Sequence, residues 1–323
     1  MMDAARRSLL TALGASAFAT ACAPLPRIAG TEQEDPRGGI GGTGIVGTLT
    51  GFGSLLINGQ RIEIAETAEI LGPLGPLAQT DLAVGQVLSV EANRAEGVLQ
   101  ARRILIADPL IGPIDAVAED RRSLTILGVR VLLDPSATLN ATPGQRLVVS
   151  GLWRGTEIVA TRLAPAEPGL DAIAGVMEGG TGDQITVSGI SVRLSRALTA
   201  PPIGNFVILR GRAGAGPFNA TAIAAGRFTG AAGALENLSV EGYLSPVPTA
   251  PGYEVDGLGH SFDTAARLDA FADGRTLFEG PYTGLFEVST GLRLPEDAAE
   301  RAEMLSRAER GTLAPASRLS ARL

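Results

Sequence analysis

An all-β chain built from repeated small units is what this sequence predicts, on three observations. A short phrase returns four times, roughly 60–70 residues apart. Hydrophobic residues make up 45% of the chain but aromatics only 4%, so its cores must rest on aliphatic side chains. The 42 glycines and 20 prolines interrupt the chain too often for long helices and suit short strands joined by turns.

The phrase reads Ile57-Asn58-Gly59-Gln60-Arg61-Ile62-Glu63-Ile64, then Ile126-Leu127-Gly128-Val129-Arg130-Val131-Leu132-Leu133. It returns as Val187-Ser188-Gly189-Ile190-Ser191-Val192-Arg193-Leu194, and more loosely as Val255-Asp256-Gly257-Leu258-Gly259-His260-Ser261-Phe262. Each copy is an alternating apolar run, a turn with a fixed glycine and a second alternating run, which is how a β-hairpin reads. Ahead of each lies an apolar strand around a glycine, at Ile45-Val46-Gly47, Ile111-Gly112, Ala174-Gly175 and Val240-Glu241-Gly242. Behind the first three, turns at Gly85, Gly144 and Gly204 open another strand, and a final strand follows near residues 99–104, 158–163 and 220–223.

About five strands in some 60 residues suits a small closed barrel of OB-like type, because closure removes adhesive sheet edges. Four tandem barrels are expected, over residues 42–108, 109–168 and 169–229, with a diverged fourth over 236–294. A unit of that size buries only about 60% of its unfolded surface, so neighbours are expected to pack together. Residues 295–323 form a C-terminal helix and tail. Pro295-Glu296-Asp297 opens the helix, which runs to about Arg310 with Arg301, Arg307 and Arg310 toward its positive-favouring end. Leu294, Ala298, Leu305 and Ala308 give it a stripe to lay on the last barrel.

The N-terminus carries an address rather than a fold. Arg6-Arg7-Ser8-Leu9-Leu10 resembles the twin-arginine motif that directs folded export. The apolar stretch Leu9–Ala21 is too short for a stable membrane span and reads as part of a signal peptide over 1–22. Cys22, the sole cysteine, follows Ala19-Thr20-Ala21 and resembles the lipobox of bacterial lipoproteins, with Ala19 where leucine is usual. That resemblance implies a thiol carrying diacylglycerol and a membrane anchor at the periplasmic face. Ala23 after the cysteine favours the outer membrane in a Gram-negative host. Residues 23–41, rich in Pro, Gly and acids, read as a flexible tether.

The repeats are similar to the bacterial family named domain of unknown function 5666, whose exported members carry the same V-x-G-x-x-V-x-L and G-x-x-V-x-V phrases. The likeness runs over 44 to about 225 and weakens over 238–294. The family name brings no activity with it.

Charge and motifs narrow the chemistry. Every one of the 27 basic residues is arginine, as GC-rich codon usage produces, and the net charge of −7 without a basic tract argues against nucleic acid as a partner. His260 is the only histidine and aligns with the inward positions Ile62, Val131 and Val192. Its neighbours Ser261 and Asp263 cannot complete a relay with it, since adjacent strand residues face opposite ways. One histidine and one cysteine are too few for a zinc site. Gly42-Thr43-Gly44-Ile45-Val46-Gly47 matches G-x-G-x-x-G, but a tether precedes it and a strand follows, the wrong setting for a dinucleotide. No residues are nominated as catalytic, cofactor-binding or metal-binding.

Aromatics gather in the diverged repeat, where Tyr243, Tyr253 and Tyr282 are the candidates for a ligand surface. The expected function is a non-catalytic, lipid-anchored cell-envelope binding or spacer module that uses no cofactor. Its partners would be the membrane, through the anchor, and an envelope glycan or protein. The alternatives are a carboxylate-dependent hydrolase of an envelope polymer and a purely structural scaffold for an envelope protein partner.

Overall fold

The computed structural model describes residues 42–134, 139–229, 235–246, 253–259, 271, 274–311 and 318–320. Among them the chain is all-β apart from one short C-terminal helix and brief 3-10 turns.

The first repeat holds β1 (Gly42–Gly51), β2 (Leu55–Ile57), β3 (Gln60–Gly72), the short β4 (Gly75–Pro76), β5 (Val87–Ala95) and β6 (Val98–Ile106). The second holds β7 (Leu110–Val117), β8 (Ser123–Ile126), β9 (Val129–Leu132), β10 (Arg146–Arg154) and β11 (Glu157–Pro165). The third holds β12 (Asp171–Thr181), β13 (Gln184–Val187), β14 (Ile190–Leu194), β15 (Phe206–Arg212) and β16 (Phe218–Ala225).

All three close into five-stranded barrels by the same route. In the first, the ring runs β1-β2-β3-β6-β5 and back to β1, with β3 and β6 parallel and the rest antiparallel. The rings β7-β8-β9-β11-β10 and β12-β13-β14-β16-β15 copy it, again with one parallel pair. That order is an OB-type Greek-key barrel, so the expected fold class holds.

The recurring glycines explain themselves in these rings. Asn58, Leu127 and Ser188 all have positive φ, between 44° and 55°, each followed by a positive-φ glycine. This is the two-residue turn whose twist matches a hairpin, and glycine enters it without a Cβ clash. The turn then folds back over the barrel's first strand. A Cβ on Gly47 would run into the Asn58 carboxamide, and one on Gly175 would lie 2.5 Å from the Ser188 hydroxyl. The pairing of an upstream glycine with a turn glycine is thus one steric unit. Alternation does the rest: Ile190, Val192 and Leu194 face the barrel interior while Ser191 and Arg193 face out.

The residues expected to form a fourth repeat share part of this plan among those described. They contain β17 (Leu235–Gly242), β18 (Leu244–Pro246), β19 (Tyr253–Val255), β20 (Thr276–Pro281) and β21 (Thr290–Arg293). Leu244 pairs with Val255 as Leu49 pairs with Ile57, and β17 pairs with β20 as β1 pairs with β5. The stretch that follows the turn after β19, 260–270, lies outside the described residues, and His260 with it. After β21 come helix α1 (Ala298–Glu309) and β22 (Arg318–Ser320), which extends the sheet beside β21.

The units are clustered rather than strung out. Parallel pairing of β1 with β17 merges the first and fourth repeats into one ten-stranded sheet, and antiparallel pairing of β7 with β12 merges the second and third into another. At these seams, successive residues of a strand can both be buried, because both faces are covered. Ile45 and Val46 in β1 are both buried, as are Ile173 and Ala174 in β12. Val46, Val87, Leu152, Val159, Leu238, Val240 and Phe278 share one core that draws on the first, second and fourth repeats.

Helix α1 also departs from expectation. Asp297 caps it by accepting from the N–H groups of Ala299 and Glu300. Ala298, expected in the apolar stripe, is exposed, whereas Arg301 and Leu305 are buried. The helix packs on Leu277, Leu292 and Leu294 of the fourth repeat, and its other contact is with the first barrel, not the last alone. A Cβ on Gly59 would lie 2.7 Å from the Leu305 carbonyl, and Arg61 Nε lies 3.0 Å from Glu309 Oε1.

Candidate functional site

Two barrels present their hairpin tips to one open groove of about 770 Å³. The β8–β9 turn contributes Leu127, Gly128, Val129 and Arg130, and the β13–β14 turn contributes Ser188, Gly189, Ile190 and Ser191. Thr156 and Glu157, at the β10–β11 turn, and the segment 213–218 between β15 and β16 complete the walls. The walls are therefore backbone-rich, with small residues Ala213 to Gly216 on one side and apolar Leu127 and Ile190 among polar groups on the other.

Each tip is pinned by a carboxylate three residues after its strand glycine. Asp115 Oδ2 accepts from Gly128 N–H at 2.9 Å, and Glu178 Oε2 accepts from Gly189 N–H at 3.0 Å. One oxygen of each acid is thus committed to holding its turn. Glu157 sits between Arg130 at 3.0 Å and Arg154 at 3.4 Å. Arg130 is 59% exposed, and an ion pair that wet contributes under about 1 kcal/mol, so a ligand can exchange for it at little cost.

The buried polar groups lie elsewhere, at the seam of the repeats. Glu241 Oε1 receives Arg275 Nε at 2.7 Å and lies 3.7 Å from Arg301 Nε, while its Oε2 receives the Thr48 N–H at 2.7 Å. Burial alone would raise this carboxyl, but Arg275, Arg301 and the Thr48 amide together hold it below the ordinary 4.5. The Tyr243 hydroxyl donates to Glu296 at 2.6 Å, and burial raises its ionisation well above the ordinary phenol range. Asp108, buried and receiving the Ser150 hydroxyl, is pushed up by burial to about 6, against smaller pulls from Ser150 and Arg162. Arg227 is buried, donates to Ser89 Oγ and the Gly257 carbonyl, stacks 3.8 Å over the Phe206 ring, and is lowered by burial to about 9.

A central cavity of about 20 Å³ lies against Glu241 and Arg227, room for one water and no more. These groups specify how the repeats dock. Among the described residues no three His, Cys, Asp or Glu side chains gather as metal ligands.

The three tyrosines do not form an exposed platform. Tyr243 is 2% exposed and belongs to the core, which corrects its assignment to a ligand surface. Its hydroxyl finds Glu296, so the polar tip that favours tyrosine at interfaces is satisfied internally. Tyr253 and Tyr282 are half-buried against the same core. Cys22, Arg6 and Arg7 lie outside the described residues.

Sequence reasoning missed the groove, because it arises between units that only tertiary packing brings together. It also missed the seam network, which did leave a trace. Glu241 stands where the other repeats carry Val46, Ile111 and Ala174, a charge in an otherwise apolar register. The repeat comparison contained that clue.

Residues 43–104 match the family described as "Domain of unknown function (DUF5666)", which spans the first barrel from β1 into β6. No significant match exists among curated proteins or among solved structures.

Proposed function

We propose that this protein is a non-catalytic binding module of the bacterial cell envelope, tethered to the membrane through a lipid on Cys22, with its ligand seated between the second and third barrels. The observation that carries the reading is the open groove itself, whose acids Asp115 and Glu157 are committed to a turn amide and to arginines. A wall of exposed turn backbone and small residues suits recognition of an extended or helical chain by shape and hydrogen bonds. The twin arginines Arg6-Arg7 and the cysteine after Ala19-Thr20-Ala21 support export to the periplasm, the outer membrane being favoured in a Gram-negative host.

The test is retention on isolated envelope fractions. A bulky Ser191→Trp substitution in the groove is expected to lower cosedimentation with the fraction at least fivefold, while mass spectrometry of the mature protein finds an acylated residue 22. Polymer turnover abolished by Asp115→Asn or Glu157→Gln would overturn the non-catalytic reading in favour of hydrolysis. A free Cys22 thiol would remove the anchor.

A further inference from the structure

Positive-φ turn glycines recur at Gly59, Gly128, Gly189 and Gly257, with φ between 70° and 78°, and the first three each follow a second positive-φ residue. Two are covered from within. Gly257 packs on the Trp153 ring, where a Cβ would come within 2.5 Å. Gly59 carries helix α1, whose backbone touches it at Leu305 and Glu309 while Glu309 pairs with Arg61. The other two turns face the groove, where a Cβ on Gly128 would meet nothing within 4 Å and one on Gly189 only the Thr156 side chain.

The match extends past the glycine. Arg61 pairs across its hairpin with Leu56, and Arg130 holds the same register opposite Thr125. Both arginines are exposed and both reach a glutamate, Arg61 to Glu309 on the helix and Arg130 to Glu157 on its own barrel. The second barrel thus keeps the turn, the bare glycine and the arginine that seat a helix on the first barrel, but no helix of this chain lies there among the described residues.

We infer that the groove is a docking site for an amphipathic α-helix of a partner protein, lying on Gly128 as α1 lies on Gly59 and placing a carboxylate on Arg130. A helix backbone can approach this closely only where the surface beneath it is glycine, which Gly128 and Gly189 supply. Small residues on the contacting turn, as Ala308 beside Leu305 and Glu309 in α1, and an acid at the helix end are the features that the partner must carry. The inference rests on the groove reading above and names its ligand class.

A fluorescein-labelled peptide of residues 295–311 is the probe, since it carries a helix already matched to such a turn. Added to the full-length protein, it is expected to give saturable anisotropy that Ser191→Trp weakens at least fivefold, Arg130→Ala weakens about two- to threefold and Arg61→Ala leaves unchanged. Three results would overturn the inference: no saturable binding, loss with Arg61→Ala instead of Arg130→Ala, or equal binding by a scrambled peptide. Envelope oligosaccharide provides the second arm. If it binds with sensitivity to Ser191→Trp while the peptide does not, the groove remains a ligand site and the helix is rejected. If neither binds, both readings fall.

Discussion

Two buried carboxylates in this protein shift in opposite directions although burial pushes both upward. Asp108 has a hydroxyl for company and Glu241 has two guanidinium groups, so the first resists ionisation and the second does not. For Asp108 the folded value of about 6 exceeds the ordinary 3.8, so the folded state holds its proton more tightly. Stability from this group is therefore greatest below 3.8 and falls as pH rises through about 6, where a shift of this size costs about 3 kcal/mol. Asp108→Asn cannot ionise and escapes that loss. Urea unfolding at pH 4 and pH 8 should show the variant gaining about 2 kcal/mol on the parent between the two; a constant difference would refute it.

At the scale of elements, Glu241 in β17 ties together β1, β20 and α1 through Thr48, Arg275 and Arg301. Removing one partner from such a buried group leaves charge uncompensated, and Glu241→Gln is expected to lose about 3–5 kcal/mol. The double variant Glu241→Met, Arg275→Met removes both charges and should lose less than the two single changes summed. Since the folded carboxyl lies below 4.5, its contribution is complete above that pH and lost as pH falls through its folded value. The gap between parent and Glu241→Gln in chemical melts should narrow accordingly in acid.

The hairpins were legible in sequence because period-2 apolar runs and a turn glycine are local signals, and Gly59, Gly128 and Gly189 all turn as expected. Helix α1 was found for the same reason, from its cap and charges. Its buried face was misread, because Arg301 enters the interior to meet Glu241 and its charge hid it from an apolar count. The groove had no local signature at all. It depends on the β7–β12 seam, which is set by packing between distant strands.

For the whole molecule, that dependence on distant pairing has a measurable price. Val46 in β1 packs with Leu238 and Val240 of β17 in one core, and the two strands share an edge. A chain ending at Thr229 would bare the β1 edge and the apolar group Val46, Val87, Leu152 and Val159. Such an uncovered edge invites pairing with another copy. Light scattering after size exclusion should find the truncated chain dimeric or aggregated and its thermal midpoint lowered; a monomer melting like the parent would contradict the fold.

The amide of Thr48 bonds Glu241 across 193 positions of sequence. Contacts of such range form late, since the entropy of closing the loop must be met before they stabilise anything. Each barrel can begin to form as it leaves the ribosome, yet the first cannot be sealed against its neighbour until the last quarter of the chain has been made. A nascent chain threaded outward while unfolded would spend that interval with a bare seam. Export of the folded chain, as proposed above from Arg6-Arg7, would spare it.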